Sequence, residues 1–125
     1  MKDKILAVKE FHKAFKLDYL DEPKALGEDK NKLRFNLMKE ENEEYFEAAN
    51  NNDMVEVADA LGDMLYILCG TIIEHGMQHK IDEIFSEIQN SNMSKLGADG
   101  NPIYRKDGKV LKAVSYTHLT LPTKV

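Results

Sequence analysis

A chain of 125 residues with 42% apolar side chains is long enough for one packed domain, yet so short that much of its surface stays exposed unless it associates. Seventeen Lys and Arg against 22 Asp and Glu leave a net charge of −5, which offers no general attraction to phosphate backbones or anionic bilayers, so neither nucleic acid nor membrane is an expected partner. The single Cys69, set in the apolar run "LYILCGTII", cannot form an internal disulfide, and no apolar stretch reaches the length of a membrane span; a soluble, cytoplasmic protein is expected.

In chain order, apolar residues at Ile5, Val8, Phe11 or His12, and Phe15 recur at helical spacing and predict a helix over about 2–16. Residues 17–29, with Pro23 and Gly27, break the period and read as a loop. A second helix is expected over 30–49, stopped by Asn50, Asn51 and Asn52, after which Asp53 can cap a third helix over 54–75. Gly76 terminates that helix, and Ile81, Ile84, Phe85 and Ile88 mark a fourth over 81–90. Beyond Ser91 the pattern dissolves into a polar segment in which "IYRKDGKVL", centred on Asp107-Gly108, suits a short hairpin. The fold class expected is therefore all-α with a short irregular or hairpin C-terminal segment.

The second helix carries the most informative irregularity. Its apolar stripe of Leu33, Leu37 and Ala48 continues through positions 41 and 44, which are both glutamate. At about 100° per residue Glu41 and Glu44 share the sector of Leu33 and Leu37, whereas Glu43 projects almost opposite and Glu40 lies at the margin. Two ionised carboxylates on an inward face cost several kcal/mol each unless paired. A bound cation would pair them.

On the third helix, Glu56, Asp59 and Asp63 fall within about 60° of one another, opposite an apolar face of Val57, Leu61, Leu65, Leu68 and Ile72. By itself such a stripe is what any amphipathic surface helix displays. From Leu65 to Ile73, however, the helix is apolar nearly all round, so this half should be covered on every side and the acidic stripe should lead inward. An antiparallel pairing of the second and third helices then brings Glu41, Glu44, Glu56 and Asp59 together. Four oxygen ligands without cysteine or paired histidines describe a hard-cation site, with Mg2+ or Mn2+ expected. Because Mg2+ commonly completes its shell with water and substrate phosphates, the set suggests phosphoryl chemistry, in which an activated water attacks phosphorus in line. Lys95, Lys109 and Lys112, with the amide of Asn92, are the candidates for meeting the polyphosphate; the competing reading of these lysines is ordinary surface charge. His12, His75, His79 and His118 share no metal-binding spacing and read as structural or exposed. Tyr66, Phe46, Met38, Met54 and Met64 read as core packing.

These residues resemble the MazG-like superfamily of all-α nucleotide pyrophosphohydrolases, in particular its phosphoribosyl-ATP pyrophosphohydrolase-like branch, related to the dimeric dUTPases. The resemblance runs through "LMKEENEEYFEA", with EExxE as Glu40, Glu41 and Glu44; through "VEVADALGDMLYILCGTIIEHG", with ExxD as Glu56 and Asp59; and through "IQNSNMSKLGADGNPIYRKDGKVLK". It implies a four-helix-bundle core in a domain over 1–113, assembly into a homodimer or homotetramer, and Mg2+ held by Glu41, Glu44, Glu56 and Asp59. It further implies Glu40 as another ligand or as the base that orients water, with Glu41 beside it as a catalytic residue. Asp63 would lie next to the nucleoside, and Asn92, Lys95, Lys109 and Lys112 would contact phosphates or sugar. After "GKVLK" the sequence departs from the family pattern, so residues 114–125 form a tail with no catalytic role. The activity implied is hydrolysis of a (deoxy)nucleoside triphosphate to monophosphate and pyrophosphate, in the manner of a nucleotide-pool house-cleaning enzyme. The alternatives are phosphoribosyl-ATP hydrolysis in histidine synthesis, and a non-catalytic helical module whose acidic faces are structural charge.

Overall fold

A computed structural model describes residues 1–96 and 100–101. Among them lie four helices and no strand: α1 (Lys2–Ala14), α2 (Glu28–Asn50), α3 (Met54–Glu74) and α4 (Ile81–Met93). The all-α expectation holds. The expected hairpin around Asp107-Gly108 and the tail 114–125 lie outside the described residues.

The chain divides into two compact units. The first, Met1–His79, holds α1, α2 and α3, with α3 packed against both of the others. The second begins at Lys80 and holds α4, which runs three residues beyond the expected Asn90 and closes with Ser94 N–H donating to Asn90 O at 3.0 Å.

The helices of the first unit all end in the same way, and the terminating residues explain why. Lys16, Asn52 and Gly76 each take a left-handed backbone, with φ of 57°, 57° and 70°. The next residue's amide then reaches back over the final turn: Leu17 to His12 O at 2.8 Å, Asp53 to Ala48 O at 3.0 Å, Met77 to Ile72 O at 2.9 Å. This double-bonded stop satisfies carbonyls that the helix itself leaves unpaired, and Asn and Gly are the residues that enter it most readily. Asp53 then caps α3, its carboxylate accepting from the Glu56 amide at 3.2 Å. Only three residues, 51–53, separate α2 from α3, so the pair is antiparallel and its acidic segments, near the turn, face each other.

The loop before α2 straps the far end of α3. Leu20 N–H donates to Ile73 O at 2.9 Å, Lys24 N–H to His75 O at 3.0 Å, His75 Nδ1 to Lys24 O at 2.9 Å and Gln78 Nε2 to Leu20 O at 2.6 Å.

The core is Ile5 and Val8 of α1, Ala48 of α2, and Val57, Ala60, Cys69, Ile72 and Ile73 of α3. Several expected apolar positions are corrected. Leu33 and Phe15 are exposed, and so are Phe46 and Met54. The inward face of α2 is rotated toward Arg34, Met38, Glu41, Tyr45 and Ala48. Nor is the apolar half of α3 covered on every side, because Tyr66 and Leu68 remain 44% and 45% exposed, and Leu61, ahead of it on the same face, is 51% exposed. Between Phe11 and His12 the buried one is His12; Phe11 instead meets the ring of the half-exposed Tyr66 edge-on at 5.7 Å.

Candidate active site

The antiparallel α2–α3 pair brings one carboxylate oxygen each from Glu41, Glu44 and Asp63 within 4.8 Å of one another. Glu41 is the inner member, half-buried, and its Oε2 is out of reach of solvent with no hydrogen-bond partner. Burial first, then the close carboxyl of Glu44, then the negative charges of Asp63 and Asp59 push the Glu41 carboxyl up from its ordinary 4.5 to about 7. Near neutral pH, Glu41 is thus poised between a neutral acid and an ion that lacks a counter-charge. Exposed acidic groups often lie together without a purpose, but a half-buried carboxylate oxygen left unsatisfied calls for a partner.

Glu44 also borders an open cleft of about 520 Å³, lined by Glu47, Asn51, Asp53, Glu56 and Asp59, with Ala48 beneath. The expected residues are therefore arranged in two adjoining groups. Glu41 and Glu44 meet in the tight cluster, joined there by Asp63, while Glu56 and Asp59 line the cleft beside them. Asp59 is still close enough to act on the charge of Glu41. Glu40 is exposed and belongs to neither group. Asn92 lies in α4 and Lys95 just past it, in the second unit, and the Lys95 amide donates to Asn92 O at 3.1 Å. Lys109 and Lys112 lie outside the described residues.

Three cleft residues carry no site role on sequence grounds: Glu47, and Asn51 and Asp53, which the sequence marks only as helix stop and cap. Glu47 follows Glu44 by one turn, a spacing that places it on the same side of the helix. A second omission is a buried charge cluster on the same helix pair, away from the carboxylates. Glu74, 7% exposed, receives Arg34 Nη1 at 2.9 Å and faces His12 Nε2 at 3.0 Å. His12 is 3% exposed, and its other ring nitrogen faces Val8 O at 3.1 Å. Part of the signal was present in the sequence, a glutamate following Ile72 and Ile73 in the apolar half of α3; that Arg34 faces inward emerges only once α2 is placed against α3.

The family model of phosphoribosyl-ATP pyrophosphohydrolase matches residues 8–92, well over half of the chain. The chain belongs to the phosphoribosyl-ATP pyrophosphohydrolase family. It is thus a member of the MazG-like superfamily and a nucleotide pyrophosphohydrolase, a hydrolase acting on phosphoric anhydrides. The matched segment spans both acidic helices and ends at Asn92. Enzymes of this family typically use a divalent metal, and the cluster of Glu41, Glu44 and Asp63 offers the hard oxygen donors that such an ion takes. No curated protein matches the chain closely enough to add a named relative. No helix among the described residues is long and apolar enough to cross a membrane.

Proposed function

We propose that this pyrophosphohydrolase hydrolyses (deoxy)nucleoside triphosphates between the α and β phosphorus atoms, releasing a nucleoside monophosphate and pyrophosphate, with Mg2+ as its physiological ion and Mn2+ as a substitute. The observation that carries the reading is the Glu41 carboxyl, whose Oε2 is turned inward without a hydrogen-bond partner, beside two further carboxylates. Such an arrangement is unfavourable as structure alone and becomes favourable when a cation binds. Glu41 and Glu44 are the inner ligands, with Asp63 moved to their group from the nucleoside-contact role that its sequence position suggested. Glu56 and Asp59, which line the cleft, would meet the same ion from that side, where a triphosphate would enter. When bound, the ion supplies charge neutralisation for the oxygens of the anhydride.

The remaining work falls to this chain's own side chains. Glu40, exposed one residue before Glu41, is assigned to orienting an incoming water, whose proton would pass to a carboxylate of the cluster. The cleft is acidic, so a polyphosphate would be repelled unless cations accompanied it. Asn92, Lys95, Lys109 and Lys112 are assigned to the phosphates and sugar, as the resemblance implies. Assembly into a homodimer or homotetramer fits the exposed apolar side chains of Leu61 and Leu68 on α3. House-cleaning of the cytoplasmic nucleotide pool is the role that goes with this activity.

A second reading, phosphoribosyl-ATP as the substrate within histidine synthesis, is favoured by the family match itself. It uses the same cleavage, because that substrate carries the same triphosphate. The test is a panel of dUTP, dCTP, dATP, ATP and phosphoribosyl-ATP with Mg2+ and product identification. Pyrophosphate release from one of them, lost in Glu41→Gln, is the expected result. Orthophosphate as the product, or equal turnover by Glu41→Gln, overturns the reading.

A further inference from the structure

Two helical turns before Glu41, Arg34 grips α3 at three places on one face. Its Nη2 donates to Ile67 O at 2.8 Å, its Nε to Thr71 Oγ1 at 3.0 Å, and its Nη1 to Glu74 Oε2 at 2.9 Å. Thr71 is itself held, donating to Ile67 O at 3.0 Å. The space for the guanidinium exists because position 70 is glycine; a Cβ there would stand 2.7 Å from Arg34 Nη2. A guanidinium is a rigid planar fork, so contacts at positions 67, 71 and 74 of α3 define both the height and the rotation of α2 against it.

That register decides which residues meet farther along. Glu41 lies seven residues beyond Arg34 on α2, and Asp63 lies four residues before Ile67 on α3. A slip of a single turn, about 5.4 Å, would exceed the 4.8 Å that encloses the three carboxylates. The carboxylates cannot hold themselves there, since like charges at this range repel and push the helices apart. The opposing constraint comes from the three-residue turn 51–53 on one side of the cluster and, on the other, from Arg34, whose charge is satisfied inside the unit.

We infer that Arg34 is a positioning residue for the acidic cluster: its three-point clamp on α3 fixes the α2–α3 register that lets Glu41, Glu44 and Asp63 share one ion. The inference rests on the metal-site reading of that cluster.

The experiment measures Mn2+ affinity by the paramagnetic resonance signal of the free ion, at a temperature well below melting, alongside the melting temperature and pyrophosphate release. Four full-length proteins are compared: wild type, Arg34→Lys, Arg34→Met, and Ile73→Val, which trims the core without touching the clamp. Arg34→Met is expected to weaken Mn2+ binding at least tenfold. Arg34→Lys, which keeps the charge beside Glu74 but loses the fork, should weaken it to an intermediate degree and reports on the clamp even if Arg34→Met fails to fold. Ile73→Val should lower the melting temperature and leave Mn2+ affinity within twofold. Folded Arg34 variants that bind Mn2+ like the wild type would overturn the inference while leaving the metal site intact. A loss in Ile73→Val matching that in Arg34→Lys would overturn it equally, by showing that general stability sets the affinity. A wild type that binds no Mn2+ removes the metal-site reading and this inference together.

Discussion

Replacing Glu41 by Gln should make the metal-free protein more stable and the metal-loaded protein less so. At pH 8 the Glu41 carboxylate faces two others within 4.8 Å. In a water-like dielectric each such pair costs about 1 kcal/mol, and physiological salt roughly halves it, so relieving both contacts returns about 1 kcal/mol. For a unit of this size that raises the melting temperature by about 4–8 °C. The sign follows from the direction of the shift. Glu41 takes its proton more tightly in the folded state, at about 7, than in the unfolded chain, at its ordinary 4.5. Stability from this group is fully present below pH 4.5 and is lost as the pH rises through 7. The gap between Glu41→Gln and wild type should therefore open across that window and level off above it. Mg2+ at a hundredfold excess over its dissociation constant should add about 2.7 kcal/mol to the wild type. It should add little to the variant, so the order of the two melting temperatures inverts. Differential scanning calorimetry at pH 5, 6, 7 and 8, with EDTA or Mg2+, reads all of this. A Glu41→Gln protein no more stable than wild type in EDTA at pH 8 would refute the account of Glu41 as an uncompensated charge.

Gly76→Ala should destabilise the first unit by about 3 kcal/mol, seen as a fall in urea midpoint. The new Cβ would sit 2.1 Å from Glu22 O at a backbone φ of 70°, forcing the strap off the end of α3. Asp53→Ala removes the α3 cap and should cost about 1 kcal/mol in the same titration; no loss would mean that the cap is dispensable. Leu61→Glu together with Leu68→Glu should reduce the mass seen by light scattering to that of a single chain if the exposed apolar side of α3 is an assembly surface. Chelation of divalent ions should abolish pyrophosphate release, and Mg2+ should restore it; turnover that persists in EDTA would contradict a metal-dependent mechanism.

Much of this was legible in the sequence because it depends on local rules. Helix ends were marked by residues that tolerate a left-handed backbone, and the Asn50–Asn52 cluster and Gly76 stop α2 and α3 within a residue of the expected places. The carboxylates at 41 and 44 stood out as a break in an apolar stripe. What a stripe cannot give is the rotation of one helix against another. With Leu33 exposed and Arg34 turned inward, the true face of α2 differs by about one residue from the apparent one, and that rotation brings Asp63 into the cluster. The contact is long-range, so no count along a single helix reveals it.

The same helix pair buries acid in two places, and the contrast separates what holds the fold from what acts in it. At one end the Glu74 carboxylate is met by Arg34 and faces His12, tying together α1, α2 and α3. Such a group is complete; removing either partner leaves a buried charge exposed to its own desolvation cost. At the other end Glu41 has no cation among the described residues, an oxygen with no partner, and acids for neighbours. A sequence under pressure for stability alone would place leucine or alanine at that position. The arrangement is stable enough to persist because the satisfied end fixes the helices, and the unsatisfied end is what gives a divalent ion something to gain by binding there.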